Sequence, residues 1–381
     1  MADAATPTPP VSFAPTRRAR LVPGRELYAG RPALSVQMEA TATEVVRGAR
    51  LCVESALGGV ITMPSGRQPS LERLTETLTA FGAVTGDVSD TLVDANRYAG
   101  KKRISGPSSL DVAWVDAQLR NGQRYALTDS PYIPDGDFAA LNSTLSQGRD
   151  MRRAVVVNLP ISYLWLKNRA RELREAINRA GVPVALTVEH ASDSMGVQAV
   201  VRGLVHVLGA EPPVLLLRCD ASAVVAIPYG AAGGAIGTKT SLRHLYPLPA
   251  PGAKGGGRPA RVAVWVPRLL SYKSLEVVAD VVQYPGIPQY LVCDCTSCDG
   301  LTLDRVTDEA QAYDHSLRAL MEFATTRLGV ERSPALQRLA FYEAGKSAQF
   351  AHMDIESSTG VPFEAPAFLG AWKVAYEELN A

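Results

Sequence analysis

Three cysteines lie close together in the segment CDCTSC, with the spacing of a metal-binding turn. One tight turn could aim Cys293, Cys295 and Cys298 at a single ion, and zinc favours four such ligands in a tetrahedron. We predict His315, in the helical pattern AYDHSLRALMEF, as the fourth ligand, with His352 as the alternative. A shell filled by protein leaves no position for water, so the predicted Zn²⁺ is structural. The competing interpretation is a set of reduced thiols without metal.

Polar residues end most of the short apolar runs in the first two thirds of the chain. They are Glu39, Asp94, Asp129, Asn158, Glu189, His190 and Asp220. Carboxylates gathered at one mouth repel each other, which raises pKa values and offers a nucleophile or a general base. These seven residues are therefore our candidates for the catalytic and substrate-binding groups. The alternative for Asp129 and Asp220 is that each only caps the helix after it.

Two basic segments could bind phosphate. The Gly-rich stretch YGAAGGAIGTKTSLRHLYP offers backbone N–H groups beside Lys239 and Arg243, which makes it a candidate phosphate site. In NRYAGKKR, Tyr98 is interleaved with basic residues, so this loop could track a nucleic-acid strand and stack a base. Close packing of small residues and a solvated basic loop are the respective alternatives.

These residues need a scaffold that brings strand ends together. Eight short β-branched runs alternate with helical patterns, recurring about every 30 residues as βα units do. The pattern predicts an α/β fold, a (β/α)8 TIM-like barrel, with an open doubly wound sheet as the rival architecture. We place the barrel at 31–247 and a disordered basic leader at 1–30. Residues 248–381 would form an insertion loop, the zinc-binding subdomain and C-terminal helices.

Composition narrows the functional classes. The 381 residues contain 39 Lys+Arg and 38 Asp+Glu, a formal charge of +1, so no global field attracts nucleic acid or anionic membrane. Five cysteines in a chain of this length do not make a disulfide framework. We find neither the roughly 18 consecutive apolar residues of a membrane span nor the apolar core of a secretory signal. We therefore expect a cytoplasmic protein with no membrane partner.

A barrel followed by the turn CDCTSC and a helical histidine resembles the tRNA-guanine transglycosylase superfamily, which exchanges guanine for a 7-deazaguanine. LVDANRYAG is similar to that family's third-strand motif and keeps its aspartate as Asp94, while LTDSPYIP would supply the base-recognising aspartate as Asp129. The family's nucleophile is an aspartate at the end of strand eight, and GAIGTKTSLRH has none. The resemblance therefore leaves the nucleophile to Asp94 or Asp220.

The resemblance implies a pentosyltransferase that exchanges a base in tRNA or DNA through a carboxylate nucleophile, with a 7-deazaguanine-type base as co-substrate. It also implies a homodimer or a heterodimer formed through the zinc region. Two other classes stay open. One is a barrel hydrolase or lyase acting on a small phosphorylated molecule, and the other is an inactive nucleic-acid-binding partner subunit.

Overall fold

Eight parallel strands form a nearly closed barrel in a computed structural model that describes residues 27, 30–31, 33–66, 68–249, 261–329 and 333–380. Neighbouring strands bond in the order β3-β2-β1-β8-β7-β6-β5-β4. This confirms the barrel over the open doubly wound sheet. The strands are β1 (Leu34–Glu39), β2 (Gly58–Thr62), β3 (Leu92–Asp94), β4 (Ala126–Leu127), β5 (Val155–Ser162), β6 (Val184–Glu189), β7 (Val214–Cys219) and β8 (Gly233–Gly237).

The seam between β3 and β4 has no strand pairing in the described sheet. At the amino end of the strands, Gln123 Nε2 donates to the Thr91 carbonyl at 2.7 Å, and the Arg124 amide donates to the Ser89 carbonyl at 3.2 Å. At the mouth, Arg97 from the loop after β3 forms an ion pair with Asp129 after β4. Isolated side-chain and backbone contacts therefore close the barrel at this position on its circumference.

Helices connect the strands and cover the outside of the barrel. Most begin at a Ser, Thr or Asp whose side chain accepts a backbone N–H of the first turn, as Thr41, Ser70, Asp111 and Ser162 do. The helices are α1 (Ala42–Ser55), α2 (Leu71–Thr85), α3 (Val112–Arg120), α4 (Phe138–Asp150), α5 (Tyr163–Ala180), α6 (Gln198–Val207), α7 (Ala221–Ala226) and α8 (Thr240–Arg243).

The barrel interior changes from apolar to polar towards the mouth. An inner apolar cluster includes Val60, Leu92, Val156, Ala185 and Ala235. Side chains two positions further along a strand point to the same side, so a polar layer lies above this cluster. That layer consists of Thr62, Asp94, Asn158, Thr187 and the side-chain-free Gly237. The strands thus direct polar groups to one end of the barrel.

After the barrel, the described residues 261–329 and 333–380 form two small antiparallel sheets and five α-helices. β9 (Ala263–Val266) pairs with β10 (Ser271–Ser274), and β11 (Val292–Cys293) pairs with β12 (Leu301–Thr302). The helices are α9 (Leu275–Val281), α10 (Pro288–Leu291), α11 (Glu309–Leu328), α12 (Pro334–Thr359) and α13 (Ala367–Leu379). The Trp372 indole of α13 donates to Ser222 Oγ at 3.2 Å, so the C-terminal helices pack on the barrel flank, as predicted.

β4 and β5 differ most from the sequence prediction, and the other strands differ by one or two residues at an end. β4, expected over 124–128, is only Ala126–Leu127, while β5, expected to end near Asn158, continues to Ser162. The extension of β5 has a partner in the loop between β4 and α4, because the Ile133 amide donates to the Pro160 carbonyl at 2.8 Å. The predicted leader 1–30 and the insertion at 250–260 lie almost wholly outside the described residues. Within the described ranges, no helix is long and apolar enough to cross a membrane.

Candidate functional site

The three cysteines and His315 form one buried group. Their candidate ligand atoms all lie within 4.8 Å of one another, and His315 Nδ1 is 2.9 Å from Cys298 Sγ. Tight local bonds set the turn, since the Cys298 amide donates to the Cys295 carbonyl at 2.8 Å. Three sulfurs and one imidazole nitrogen are the donors of a structural zinc centre, and tetrahedral coordination would need edges of roughly 3.5–3.8 Å. The group could therefore hold zinc.

A carbonyl oxygen orients the histidine of this group. His315 Nε2 lies 2.7 Å from the Trp265 carbonyl, so Nε2 carries the proton and Nδ1 is free to bind a metal. The next residue accepts the Trp265 amide through Ser316 Oγ at 2.9 Å. His352, the alternative ligand, lies elsewhere, with its ring nitrogens 3.0 Å and 3.1 Å from the carbonyls of Phe363 and Leu269.

The Cys293 and Cys295 thiols are arranged to hold negative charge. A hydrogen bond from Cys293 lowers the pKa of Cys295 to about 3, and the same bond raises the pKa of Cys293. This hydrogen bond therefore favours loss of the Cys295 proton. Zinc takes deprotonated sulfur, so this arrangement fits the group predicted from the sequence.

Asp94 ends β3 at the barrel mouth and is completely buried. Its Oδ1 accepts the Asn96 amide at 2.9 Å, and its Oδ2 accepts the Tyr98 hydroxyl at 2.7 Å. Thr62 Oγ1 lies 3.4 Å from Oδ2, and a guanidinium nitrogen of Arg218 lies 3.7 Å from the same oxygen. Both carboxylate oxygens are thus held by groups from three different strands and loops.

Tyr98 is part of the interior and not of the surface. Its ring is fully buried and clusters with Tyr132 and Leu245, and the Arg218 guanidinium lies 5.1 Å from the ring centroid. Burial raises the pKa of the Tyr98 hydroxyl. Tyr98, whose ring was predicted to stack on a base, therefore covers Asp94 in this structure.

The other acids of the mouth are paired with arginines. Asp129 receives the Asp111 amide at 2.8 Å and an ion pair from Arg97, and burial raises its pKa against these two contacts. Glu189 is paired with Arg103. It also accepts the Tyr132 hydroxyl at 2.6 Å. Much of the basic segment after β3 thus turns inward to neutralise the strand-end acids.

Asp220 belongs to a second, neighbouring group. It caps α7 by accepting the Ser222 amide at 3.1 Å, which confirms the capping role considered for it. Burial, and then the nearby Asp220 charge, raise the pKa of Asp193 to about 7. Burial lowers the pKa of His244, and Asp220 acts against this. His190 lies beside this group, with its Nδ1 accepting the Ser192 amide at 3.1 Å.

An open cavity of about 510 Å³ joins the two groups at the mouth. Its wall contains Thr62, Asn96 and Arg218, which surround Asp94, and it also contains His244 from the second group. Exposed residues of the rim include Lys101 and the large apolar side chains Tyr246 and Leu248. Neither Asp129 nor Asn158 lines this cavity. Asn158 is buried in the polar layer, with no partner found for its Oδ1 among the described residues.

The predicted phosphate-binding residues contact protein groups. Lys239 Nζ lies 3.2 Å from Glu39 and 3.6 Å from Glu44, and Arg243 stacks on Tyr272 at 3.9 Å. At the end of β8, a Cβ on Gly237 would stand 2.3 Å from the backbone of Leu242. The Gly-rich stretch here allows a close backbone approach, which is the alternative considered for it.

Three residues of the site were missed in the sequence. Arg218 follows the apolar run Val214–Leu217, and Asn96 is the first residue of the basic segment NRYAGKKR. Gln37 lies between two apolar residues of β1 and is completely buried. Polar residues inside strand patterns were the available signal, because a buried polar side chain must find a partner.

No protein-family model matches the chain, and no curated protein matches it. Among solved structures, it is similar to the crystal structure of 3-dehydroquinate dehydratase from Geobacillus kaustophilus HTA426. The two share 14% sequence identity at a TM-score of 0.35, over 54% of this chain and 83% of that chain.

Proposed function

We propose that this chain is a base-exchange glycosyltransferase that replaces a guanine in nucleic acid with a 7-deazaguanine-type base. The observation that carries the proposal is Asp94, a buried carboxylate at the end of β3 whose neighbours form the floor of the cavity. Strand ends at the carboxyl side of a barrel are where catalytic groups of such enzymes lie. The Cys293/Cys295/Cys298/His315 group, which would brace the subdomain through structural zinc, is the second feature shared with the resembled family.

The proposed reaction uses Asp94 as nucleophile. Its carboxylate oxygen forms an ester bond to the anomeric carbon while the bond from that carbon to the purine nitrogen breaks, and the electron pair leaves with the base. The outgoing nitrogen takes up a proton. An incoming base then loses a proton from its ring nitrogen, bonds to the anomeric carbon and releases the carboxylate. His244, backed by Asp220, would carry the proton between the two bases.

The cavity suits a flipped base. Its volume of about 510 Å³ lies within the range of ligand pockets, roughly 300–1,000 Å³. A base taken out of its stack needs apolar or aromatic surface, and Tyr246 and Leu248 are exposed at this rim. Since Lys239 and Arg243 are engaged with protein groups, the small phosphorylated substrate considered above has no comparable support.

Base exchange can be tested directly. The protein is incubated with radiolabelled guanine and either bulk tRNA, duplex DNA or guanosine, and label in the product is counted. We expect incorporation into one polymer, and a loss of at least about 10³-fold in Asp94→Asn, because the carboxylate cannot be replaced by an amide. Asp150→Asn, which changes an exposed acid paired with Arg149, is the matched control. Equal incorporation by Asp94→Asn, or none into any acceptor, would refute the proposal.

Binding to a polymer gives a second test. Lys101 and Lys102 are exposed beside the cavity, so we infer that they contact backbone phosphates. Replacing both with alanine should weaken binding and reduce the slope of log K against log salt by about one for each lost contact. An unchanged slope would show that these lysines do not contact a polynucleotide.

A further inference from the structure

Two residues with left-handed backbone meet beside Asp94. Asn96 has a φ of 54° and Arg218 a φ of 52°, although neither is glycine. Asn96 follows β3, and Arg218 lies within β7 where the register with β8 shifts between Leu216 and Cys219. Such conformations are disfavoured for side-chain-bearing residues and persist only where surrounding contacts hold them, often at functional sites.

The side chain of Arg218 connects the loop after β3 with α8 across the mouth. One terminal guanidinium nitrogen donates to Asn96 Oδ1 at 2.6 Å, and the other donates to the Ser241 carbonyl at 3.2 Å. The first of these nitrogens lies 3.7 Å from Asp94 Oδ2. Arg218 is only 8% exposed, yet it lines the cavity. The guanidinium is thus fixed beside the carboxylate and also lines the space where a substrate would lie.

The backbone of Arg218 reaches Asp94 by a separate route. Its amide donates to Gln37 Oε1 at 2.7 Å, and Gln37 Nε2 donates to Thr62 Oγ1 at 2.9 Å. Thr62 Oγ1 in turn lies 3.4 Å from Asp94 Oδ2. This second route uses only the backbone of Arg218, so a side-chain substitution leaves it intact. The charge can therefore be removed without removing the support of the strand.

A buried carboxylate stays ionised only if positive charge or hydrogen bonds compensate for lost water. The arginines at the neighbouring strand ends are already paired, Arg97 with Asp129 and Arg103 with Glu189. Arg218 is the basic residue that lies beside Asp94. We propose that Arg218 is the positioning residue of Asp94, which compensates the charge of this buried carboxylate and fixes it behind the cavity wall that Thr62, Asn96 and Arg218 form. A role for Arg218 in catalysis rests on the proposed function, because a carboxylate must be ionised to act as a nucleophile.

The kinetic test compares Arg218→Met with Arg218→Lys across pH. Without the Arg218 charge, the acidic limb of the plot of base-incorporation rate against pH should shift to higher pH by about one unit or more. An opposite charge nearby has effects of that size. Arg218→Lys keeps the charge but loses the contacts to Asn96 and Ser241, so its acidic limb should lie at the same pH as in wild type. Arg149→Gln, on the surface, is the control. A residue with only a structural role would lower the rate equally at every pH.

A second measurement does not depend on activity. The ¹³C carboxyl signal lost in Asp94→Asn is followed in a pH titration of the intact protein, and it should titrate at higher pH in Arg218→Met than in wild type. Circular dichroism and zinc content confirm folding. If this signal shifts while no acceptor incorporates base, the proposed function fails and the Arg218 assignment stands. An unchanged titration in folded Arg218→Met would overturn the assignment.

Discussion

Three buried acids at the barrel mouth each lie beside an arginine. Asp129 is held by Arg97, Glu189 by Arg103, and Asp94 lies beside Arg218. Each of these acids lies at the end of a strand or, for Asp129, two residues beyond it, whereas the first two arginines come from the loop after β3. The mouth is therefore close to neutral inside, and removal of any one partner leaves a buried charge without compensation.

The Arg97–Asp129 pair permits a stability prediction. Arg97→Met keeps much of the volume but leaves Asp129, which is almost wholly buried, without its counter-ion. We expect a loss of about 3–5 kcal/mol in the free energy of unfolding, as for other broken buried pairs. Urea unfolding measures it. Arg153→Met, which breaks a surface pair with Asp116, should cost less than about 1 kcal/mol. Equal effects in the two variants would contradict the prediction.

The raised pKa of Asp193 makes the stability of the folded protein depend on pH. Burial and the Asp220 charge raise its pKa to about 7, above the value of roughly 4 in an unfolded chain. The folded state favours the protonated form of Asp193. Its contribution to the free energy of unfolding is therefore fully present below about pH 4 and is lost as the pH rises through about 7. Asp193→Asn should therefore lose less stability than wild type between pH 5 and pH 8. Urea midpoints across this range test the difference, and parallel curves would contradict it.

Sequence reasoning identified metal ligands better than mouth residues. CDCTSC and His315 could be predicted because short-range spacing determines which atoms meet. The partners of Asp129 and Lys239 could not, because each pairing depends on how distant loops fold over the barrel. Loop residues such as Arg97 are equally basic whether they point to solvent or to a buried acid, and only the structure distinguishes the two.

At the scale of the elements, the seam between β3 and β4 has no strand pairing in the described sheet. Gln123 supplies one of its few direct bonds, to the Thr91 carbonyl at 2.7 Å, from a completely enclosed position. Gln123→Ala would leave that carbonyl without its partner. We expect a loss of about 1–3 kcal/mol and faster hydrogen exchange in β3 and β4. Gln283→Ala, on an exposed helix turn, is the control. Unchanged exchange would show that the seam does not depend on this residue.

The order of the elements could be predicted from the sequence, whereas the lengths of β4 and β5 could not. Alternation of apolar runs with helical patterns indicated the eight βα units correctly. β4 is short because it pairs with β5 alone, and β5 is long because it pairs with β6 as far as Ser162 and also bonds to Ile133 in the loop between β4 and α4. Strand length depends on the partner strand, which local propensity does not reveal.

At the scale of the whole molecule, the metal group connects the barrel to the chain that follows it. α11 carries His315, which contacts the turn of cysteines on one side and the Trp265 carbonyl of β9 on the other. It also meets α1 of the barrel, where Arg47 bonds to Asp314 at 3.0 Å. An ion in this group would therefore hold the small sheets and α11 together against the barrel wall.

We expect one zinc per chain in freshly purified protein, and less than a tenth of that in Cys298→Ser or His315→Ala. Both variants should melt at lower temperature and become sensitive to protease between residues 261 and 305, because a structural zinc contributes directly to folding. Elemental analysis and limited proteolysis measure the two effects. His352→Ala, which leaves all four predicted ligands in place, should retain the metal. Metal-free wild-type protein with unchanged protease resistance would contradict the prediction.

The close approach at Gly237 limits which strands of this barrel can carry an acid at the mouth. With the Leu242 backbone 2.3 Å from where a Cβ would be, a single substitution cannot place an acid at Gly237, the last residue of β8. Placing one there would first require a different course for the connection between β8 and α8. A carboxylate that reacts at this mouth must therefore come from another strand, as Asp94 of β3 does in the proposed reaction.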